Sequence, residues 1–327
     1  MDTIEERSTN SNKSNKISLL RLGIDHLVSE DDEIINIQCG RIGKIENLYK
    51  CKNLRALILI SNHIEKIENL SELRSLNILE LYQNSIRKIE DLDELINLEV
   101  LDLSFNKIQK VENLDNLKNL RKLFLSSNRI NIIEGLDNNT KLTLLELGGN
   151  RIRHIGNIEH LIQLEELWLG RNKITNFESL PNLVKLKSLS LQSNRLSEWA
   201  LSFQHKCCNL KELYLSHNKL PSPPIGYFKN FKQLHTLDLA ANEISNLEEI
   251  SNITSLEELW LNDNCIDSLD QIELLKKLKN MKTLYIERNP LQLNLGPAYR
   301  MKILEILPWI SQLDALSINS NIYLTSD

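Results

Sequence analysis

Apolar positions along this chain recur on two nested periods. Within short segments they alternate with polar ones, as in Leu101-Asp102-Leu103 and Leu123-Phe124-Leu125. The segments themselves return about every 22 residues, each followed three positions on by an asparagine. The asparagines are Asn62, Asn84, Asn106, Asn128, Asn150, Asn172, Asn194, Asn218, Asn242, Asn264 and Asn289, at steps of 22, 22, 22, 22, 22, 22, 24, 24, 22 and 25. An earlier unit, Ile35-Asn36-Ile37, carries Gly40 at the asparagine position and brings the count to twelve. Self-similarity at such a period predicts stacked coils, each burying its apolar side against the next.

Each part of the unit has a physical cause. In Leu-x-Leu the strand period of two sends both leucines inward and x outward. The asparagine amide can bond backbone groups that a tight turn would otherwise bury unpaired. The Ile-x-x-Ile-Glu-x-Leu segment that follows, as in Ile64, Ile67, Glu68 and Leu70, returns the chain with its apolar residues facing in. A 22-residue coil leaves room there only for turns or a short 3-10 helix. The expected fold is therefore an α/β repeat solenoid, a leucine-rich-repeat horseshoe. Parallel strands line its concave face over about 50–60 Å, turns or 3-10 segments line its convex face, and a helical cap closes its C-terminal end.

The rhythm sets the boundaries. Residues 35–290 hold the twelve repeats, and 17–34, with Ile17 through Val28, supply apolar cover for the first coil. Residues 291–318 form the second cap, in which Ile303, Leu304 and Leu307 share a helical face before a strand-like Leu313-Asp314. Polar residues 1–16 and the stretch 319–327 read as loose tails. Between Asn194 and Asn242 the coils lengthen and bring in Trp199, Phe203 and Pro221-Ser222-Pro223-Pro224. That insertion is expected to bulge on the convex or lateral side, with the prolines favouring an extended path.

Composition narrows the function. Net charge is −5, which argues against a nucleic-acid backbone as the main partner. No run of about 18 apolar residues spans a membrane, and Met1 to Lys16 lack the apolar core of a secretory signal. Five irregularly spaced cysteines (Cys39, Cys51, Cys207, Cys208 and Cys265) read as free thiols of a reducing compartment. None of the seven histidines falls in a metal-binding spacing, and no phosphate loop, dinucleotide fingerprint or nucleophile elbow occurs. Adjacent acids such as Glu165-Glu166 lie on opposite sides of a strand and do not converge. The expectation is a protein-binding platform, not an enzyme, with no cofactor, no metal and a monomeric free state.

The face left free by the repeat then carries function. Its central row is Ile58, Glu80, Asp102, Phe124, Glu146, Trp168, Ser190, Tyr214, Asp238, Trp260 and Tyr285, with Glu166, Glu212 and Glu258 two positions earlier on the same face. In a chain only 5% aromatic, five of these eleven central positions are aromatic and four are carboxylates. The core requires neither, and exposed aromatics ringed by charge are the composition of binding hot spots.

At these residues the chain resembles the leucine-rich-repeat regulatory subunits of type-1 protein phosphatase, the sds-twenty-two family. The 22-residue unit, the Ile-Glu-x-Leu tails and the C-terminal cap carry the resemblance over about residues 30–316. It implies that Asp102, Phe124, Glu146 and Trp168 on successive repeats, with Asp238, Glu258, Trp260 and Tyr285, grip the phosphatase catalytic subunit. Trp168 stands where the family has Phe. It also implies a non-catalytic role in maturation, targeting or control in nucleus and cytoplasm, and a further phosphatase inhibitor protein as candidate third member of the complex. Glu80 and Tyr214 extend the same row. The rival reading is a scaffold for another intracellular partner, ribonucleoprotein or cytoskeletal, although a ribonucleoprotein reader would carry basic residues where this row is acidic.

Overall fold

The computed structural model describes residues 18–318. Among these, one fourteen-stranded sheet runs from Ile34–Asn36 through Thr283–Tyr285 to Gln312–Leu313 and Leu316–Ser317. Its repeat strands pair parallel and in register, each leucine beside its equivalent: Leu79 beside Leu101, Leu101 beside Leu123, Leu123 beside Leu145. The inward leucines and isoleucines are fully buried from Ile42 to Leu313. No coil has a core of its own, so the apolar interior is continuous from end to end.

The asparagine ladder explains the register. Asn106 donates from Nδ2 to the carbonyls of Leu81 (2.9 Å) and Leu103 (3.0 Å), and its Oδ1 accepts the Ile86 N–H at 2.9 Å. Asn128, Asn150 and Asn172 repeat this set one coil along. Each amide thus joins its own turn to the coil before. The residue ahead of each asparagine takes a left-handed conformation, from Ser61 at φ 56° to Arg288 at φ 56°.

A second left-handed row runs down the convex side at the x of Glu-x-Leu, at Asn47, Asn69, Asp91, Asn113 and Gly135, and continues at Asn157 in Gly156-Asn157-Ile158. Asn, Asp and Gly are the residues that tolerate this conformation. At Gly135 (φ 68°) an added Cβ would sit 2.5 Å from the Val111 carbonyl oxygen, so the close approach also requires glycine.

Three features differ from expectation. The lengthened coils do not simply bulge, because Trp199, Phe203, Tyr227, Phe228 and Phe231 are buried as one aromatic cluster. Trp199 Nε1 also donates to the Pro221 carbonyl at 2.8 Å, tying the two long coils together. The extra residues are taken up by large rings, and the sheet passes them without a register shift. The coil of 25 residues has room for a true helix, α1 (Leu269–Leu274), where turns were expected. At the N-terminal end Leu20–Leu22 pairs with Ile42–Ile45 and buries Leu22, but Leu27 is 81% exposed and covers nothing.

Past α1, the chain forms α2 (Pro290–Leu295) and α3 (Tyr299–Ile306). From α3, Tyr299 and Ile303 are buried over the last coil, with Leu307 just beyond it. Asp314, one place past Leu313, closes the end of the sheet: it accepts the N–H groups of Ile286 (2.8 Å) and Glu287 (3.0 Å) and the Tyr299 hydroxyl (3.0 Å). The expected tails, 1–16 and 319–327, lie outside the described residues.

Candidate binding face

The sheet register places all ten predicted side chains on one wall. Glu80, Asp102, Phe124, Glu146 and Trp168 stand side by side on successive strands. Tyr214, Asp238, Trp260 and Tyr285 do the same, with Glu258 two positions before Trp260. In each of these strands the middle leucine is buried and the wall residue after it is half-buried, as alternation requires. The two groups differ in character.

The N-terminal group is acidic. Glu80 and Asp102 are direct neighbours across a strand pair, a like-charge placement that is unfavourable for folding. Burial holds the Asp102 carboxyl above the usual aspartate range, although Ser104 N–H donates to it at 2.8 Å. Glu80 is raised as well, by burial first and then by Asp102. Glu146 accepts the Ser126 hydroxyl at 2.7 Å, which fixes its direction.

The C-terminal group is an aromatic stack. Trp168 and Tyr214 lie 5.8 Å apart, Tyr214 and Trp260 6.4 Å apart, and Trp260 and Tyr285 6.3 Å apart between ring centroids. Trp168 and Tyr214 sit two strands apart and meet over Ser190, which is 1% exposed. Tyr214 and Trp260 likewise meet over Asp238. Covered by rings, the Asp238 carboxyl is raised by burial, while the Ala240 N–H donates to it at 3.0 Å.

Polar neighbours orient the rings. Trp168 Nε1 donates to Glu166 at 3.1 Å, and Gln312 donates to the Tyr285 hydroxyl at 2.6 Å. The Tyr214 hydroxyl donates to Glu212 at 3.4 Å, and burial with that carboxylate pushes it up to about 12. A groove of about 1050 Å³ opens over Tyr214, Asp238, Trp260 and Tyr285, with Arg171 and Arg288 on its rim.

Sequence reasoning passed over those rim arginines and Phe105. Phe105 is 48% exposed and its ring lies 4.9 Å from Tyr82. Each stands directly before an asparagine (Asn106, Asn172 and Asn289), outside the Leu-x-Leu row. The usable signal was the position ahead of each asparagine, which in every repeat takes a left-handed conformation.

Chemically the wall offers half-buried carboxylates that have no ion-pair partner among the described residues, beside flat apolar rings. That combination accepts Lys or Arg side chains, which pair with the acid and lie over the ring. Among the described residues no three His, Cys, Asp or Glu side chains gather as a metal-ligand set, and no helix is long and apolar enough to cross a membrane.

Comparisons with known proteins agree with the repeat. Family patterns described as "Leucine rich repeat" and "Leucine Rich repeats (2 copies)" match residues 208–266 and 96–138. Protein phosphatase 1 regulatory subunit pprA of Dictyostelium discoideum is 43% identical over 79 residues, 24% of this chain and 23% of that protein. Protein phosphatase 1 regulatory subunit SDS22 of Schizosaccharomyces pombe is 42% identical over 73 residues, 22% of each. The matched stretches thus span about a quarter of the length of the curated relatives. Among solved structures, an internalin (inlF) from Listeria monocytogenes superposes with a TM-score of 0.69 at 24% identity over 88% of each chain, a likeness of fold alone. With the strand-by-strand register and the asparagine ladder already described, these matches make the chain a leucine-rich-repeat protein.

Proposed function

We propose that this protein is a non-catalytic regulatory subunit that docks on a type-1 protein phosphatase catalytic subunit through its concave wall. The observation that carries the reading is the wall itself: Asp102, Phe124, Glu146 and Trp168 in register on consecutive strands, continued by Asp238, Glu258, Trp260 and Tyr285. Two relatives named as regulatory subunits of that phosphatase, each above 40% identity over the matched stretch, support the same partner.

In this reading the carboxylates pair with basic residues of the phosphatase, and the aromatic stack seats its apolar side chains. The raised Asp102 and Asp238 fit that role, since a carboxylate poorly solvated in the free chain gains most from an incoming cation. Any metal used in phosphate hydrolysis belongs to the partner. Control of maturation, targeting or activity in nucleus and cytoplasm, with an inhibitor protein as third member, follows from the same reading.

The test is a pull-down of purified phosphatase catalytic subunit on the immobilised full chain, repeated with Asp102→Ala, Trp168→Ala, Glu258→Ala and Trp260→Ala. Retention by the parent and loss by the variants is the expected result. Equal retention by all of them, with circular dichroism unchanged, would sink the assignment.

A further inference from the structure

The chain carries more acid than base, 44 carboxylates against 39 Lys and Arg, yet one edge of the solenoid holds no carboxylate across six coils. This edge comprises the turn around each asparagine, from two residues before it to three after. In the coils of Asn106, Asn128, Asn150, Asn172, Asn194 and Asn218 these positions carry eight cations and no Asp or Glu. Six of the eight, Lys107, Arg129, Arg151, Lys173, Arg195 and Lys219, occupy one position, directly after the asparagine. Arg153 and Arg171 flank the row.

The backbone holds the row in line. Each of these six residues donates its N–H to the carbonyl two places after the previous coil's asparagine, from Lys107 to Ile86 (2.8 Å) through Lys219 to Leu196 (2.8 Å). Consecutive rungs therefore lie about 4.8 Å apart, and the row is about 24 Å long. Among the described residues none of the eight cations has a carboxylate within 4.0 Å. Elsewhere on the surface such pairs are made, as in Arg74–Glu94 at 2.8 Å and Lys187–Glu165 at 2.6 Å. The stripe ends where Glu243 takes the same position in the next coil.

We propose that this basic edge docks an acidic polypeptide segment lying along it as a helix, with one carboxylate per turn. A helix rises about 5.4 Å per turn, close to the rung spacing, so successive carboxylates meet successive cations. A shallow trough of about 210 Å³ beside the row, lined by Ser126, Ser127, Gly148 and Gly149 between Phe105 and Trp168, also holds Glu146, whose carboxylate is engaged by the Ser126 hydroxyl; its rings seat apolar residues of the same helix. A nucleic-acid strand fits less well. Successive bases would need successive stacking platforms, and across the six turns this edge holds a single Phe, Tyr or Trp, Phe105, at one end. A two-sided helix presents charge to the stripe and apolar surface to the trough.

The test uses the full chain and a fluorescein-labelled helical peptide of about 16 residues, long enough for the row at 1.5 Å per residue, with glutamate at every turn. Fluorescence anisotropy is expected to show binding that weakens as salt is raised. The triple variant Arg129→Glu, Arg151→Glu, Lys173→Glu should weaken it about tenfold or more. A control with the same charge change elsewhere, Lys50→Glu, Lys118→Glu, Lys229→Glu, should bind like the parent. Trp260→Ala, which disables the concave wall, should also bind normally, so failure here is distinguishable from failure of the phosphatase reading. The idea is overturned if the triple variant and the control bind alike. It is equally overturned if a single-stranded oligonucleotide or phosphatidylserine vesicles are captured while the peptide is not.

Discussion

Trp168 and Tyr214 stack at 5.8 Å and 29° although a whole strand separates them. The residue between them is Ser190, small enough for both rings to lean over it. The direct neighbours Trp260 and Tyr285 are instead tilted at 52°. Ser190→Leu should therefore part the rings without unfolding the chain, because the added side chain can project outward. The expected outcome is a changed tryptophan emission and a loss of phosphatase binding comparable to that of Trp168→Ala. Parent-like emission and affinity would refute a spacer role for Ser190.

Trp260 lies within 6.4 Å of Tyr214 and 6.3 Å of Tyr285, at the centre of the aromatic half. Removal of a central hot-spot aromatic costs about 2 kcal/mol or more, so Trp260→Ala should lower phosphatase affinity about thirtyfold. Phe124→Ala, with no ring partner among the described residues, should cost less. Surface plasmon resonance on the two variants ranks them.

Asp238 gives a pH signature. Burial raises its carboxyl above the unfolded value, so the charged form is disfavoured in the folded chain. The unfolded state then releases its proton first, and stability falls as pH climbs from the ordinary aspartate range through the raised one. Asp238→Asn, which keeps an acceptor for the Ala240 N–H, should raise the melting temperature of the free chain at neutral pH. The gain should vanish at pH values below the ordinary aspartate range. Thermal melts across pH decide it, and an equal gain at every pH would rule out the burial argument.

Asn128 illustrates the ladder's energetics. Its buried amide donates to the Leu103 and Leu125 carbonyls (both 3.0 Å) and accepts the Ile108 N–H (3.0 Å). Asn128→Ala leaves these groups unpaired, a loss of about 2–4 kcal/mol. Urea denaturation should show a lower midpoint, with the concave wall still able to bind below the transition.

Phe203 is fully buried against Phe177 (5.2 Å) and Phe231 (5.4 Å). Phe203→Ala should destabilise by about 3–5 kcal/mol, as for other large cavities. If the lengthened coils were loose loops, the change would be nearly silent.

What the chain determined locally was nearly all of the fold. The asparagine spacing sets the number of coils, Leu-x-Leu sets which residues face out, and both act between neighbouring coils only, so they are readable along the chain. The candidate wall was legible for the same reason: Asp102, Phe124 and Glu146 share a face because a strand alternates and coils stack in register. Tertiary structure decided what depends on distances between coils. It set the Trp168–Tyr214 stack over Ser190, the burial that raises Asp102 and Asp238, and the closure of Trp199, Phe203 and Tyr227 into a core that reads as an insertion. It also brought Arg129, Arg151 and Lys173 into one line along an edge that holds no carboxylate across six coils. Period and pattern are short-range quantities, whereas ring contacts, desolvation and charge segregation exist only once neighbouring coils are brought about 4.8 Å apart.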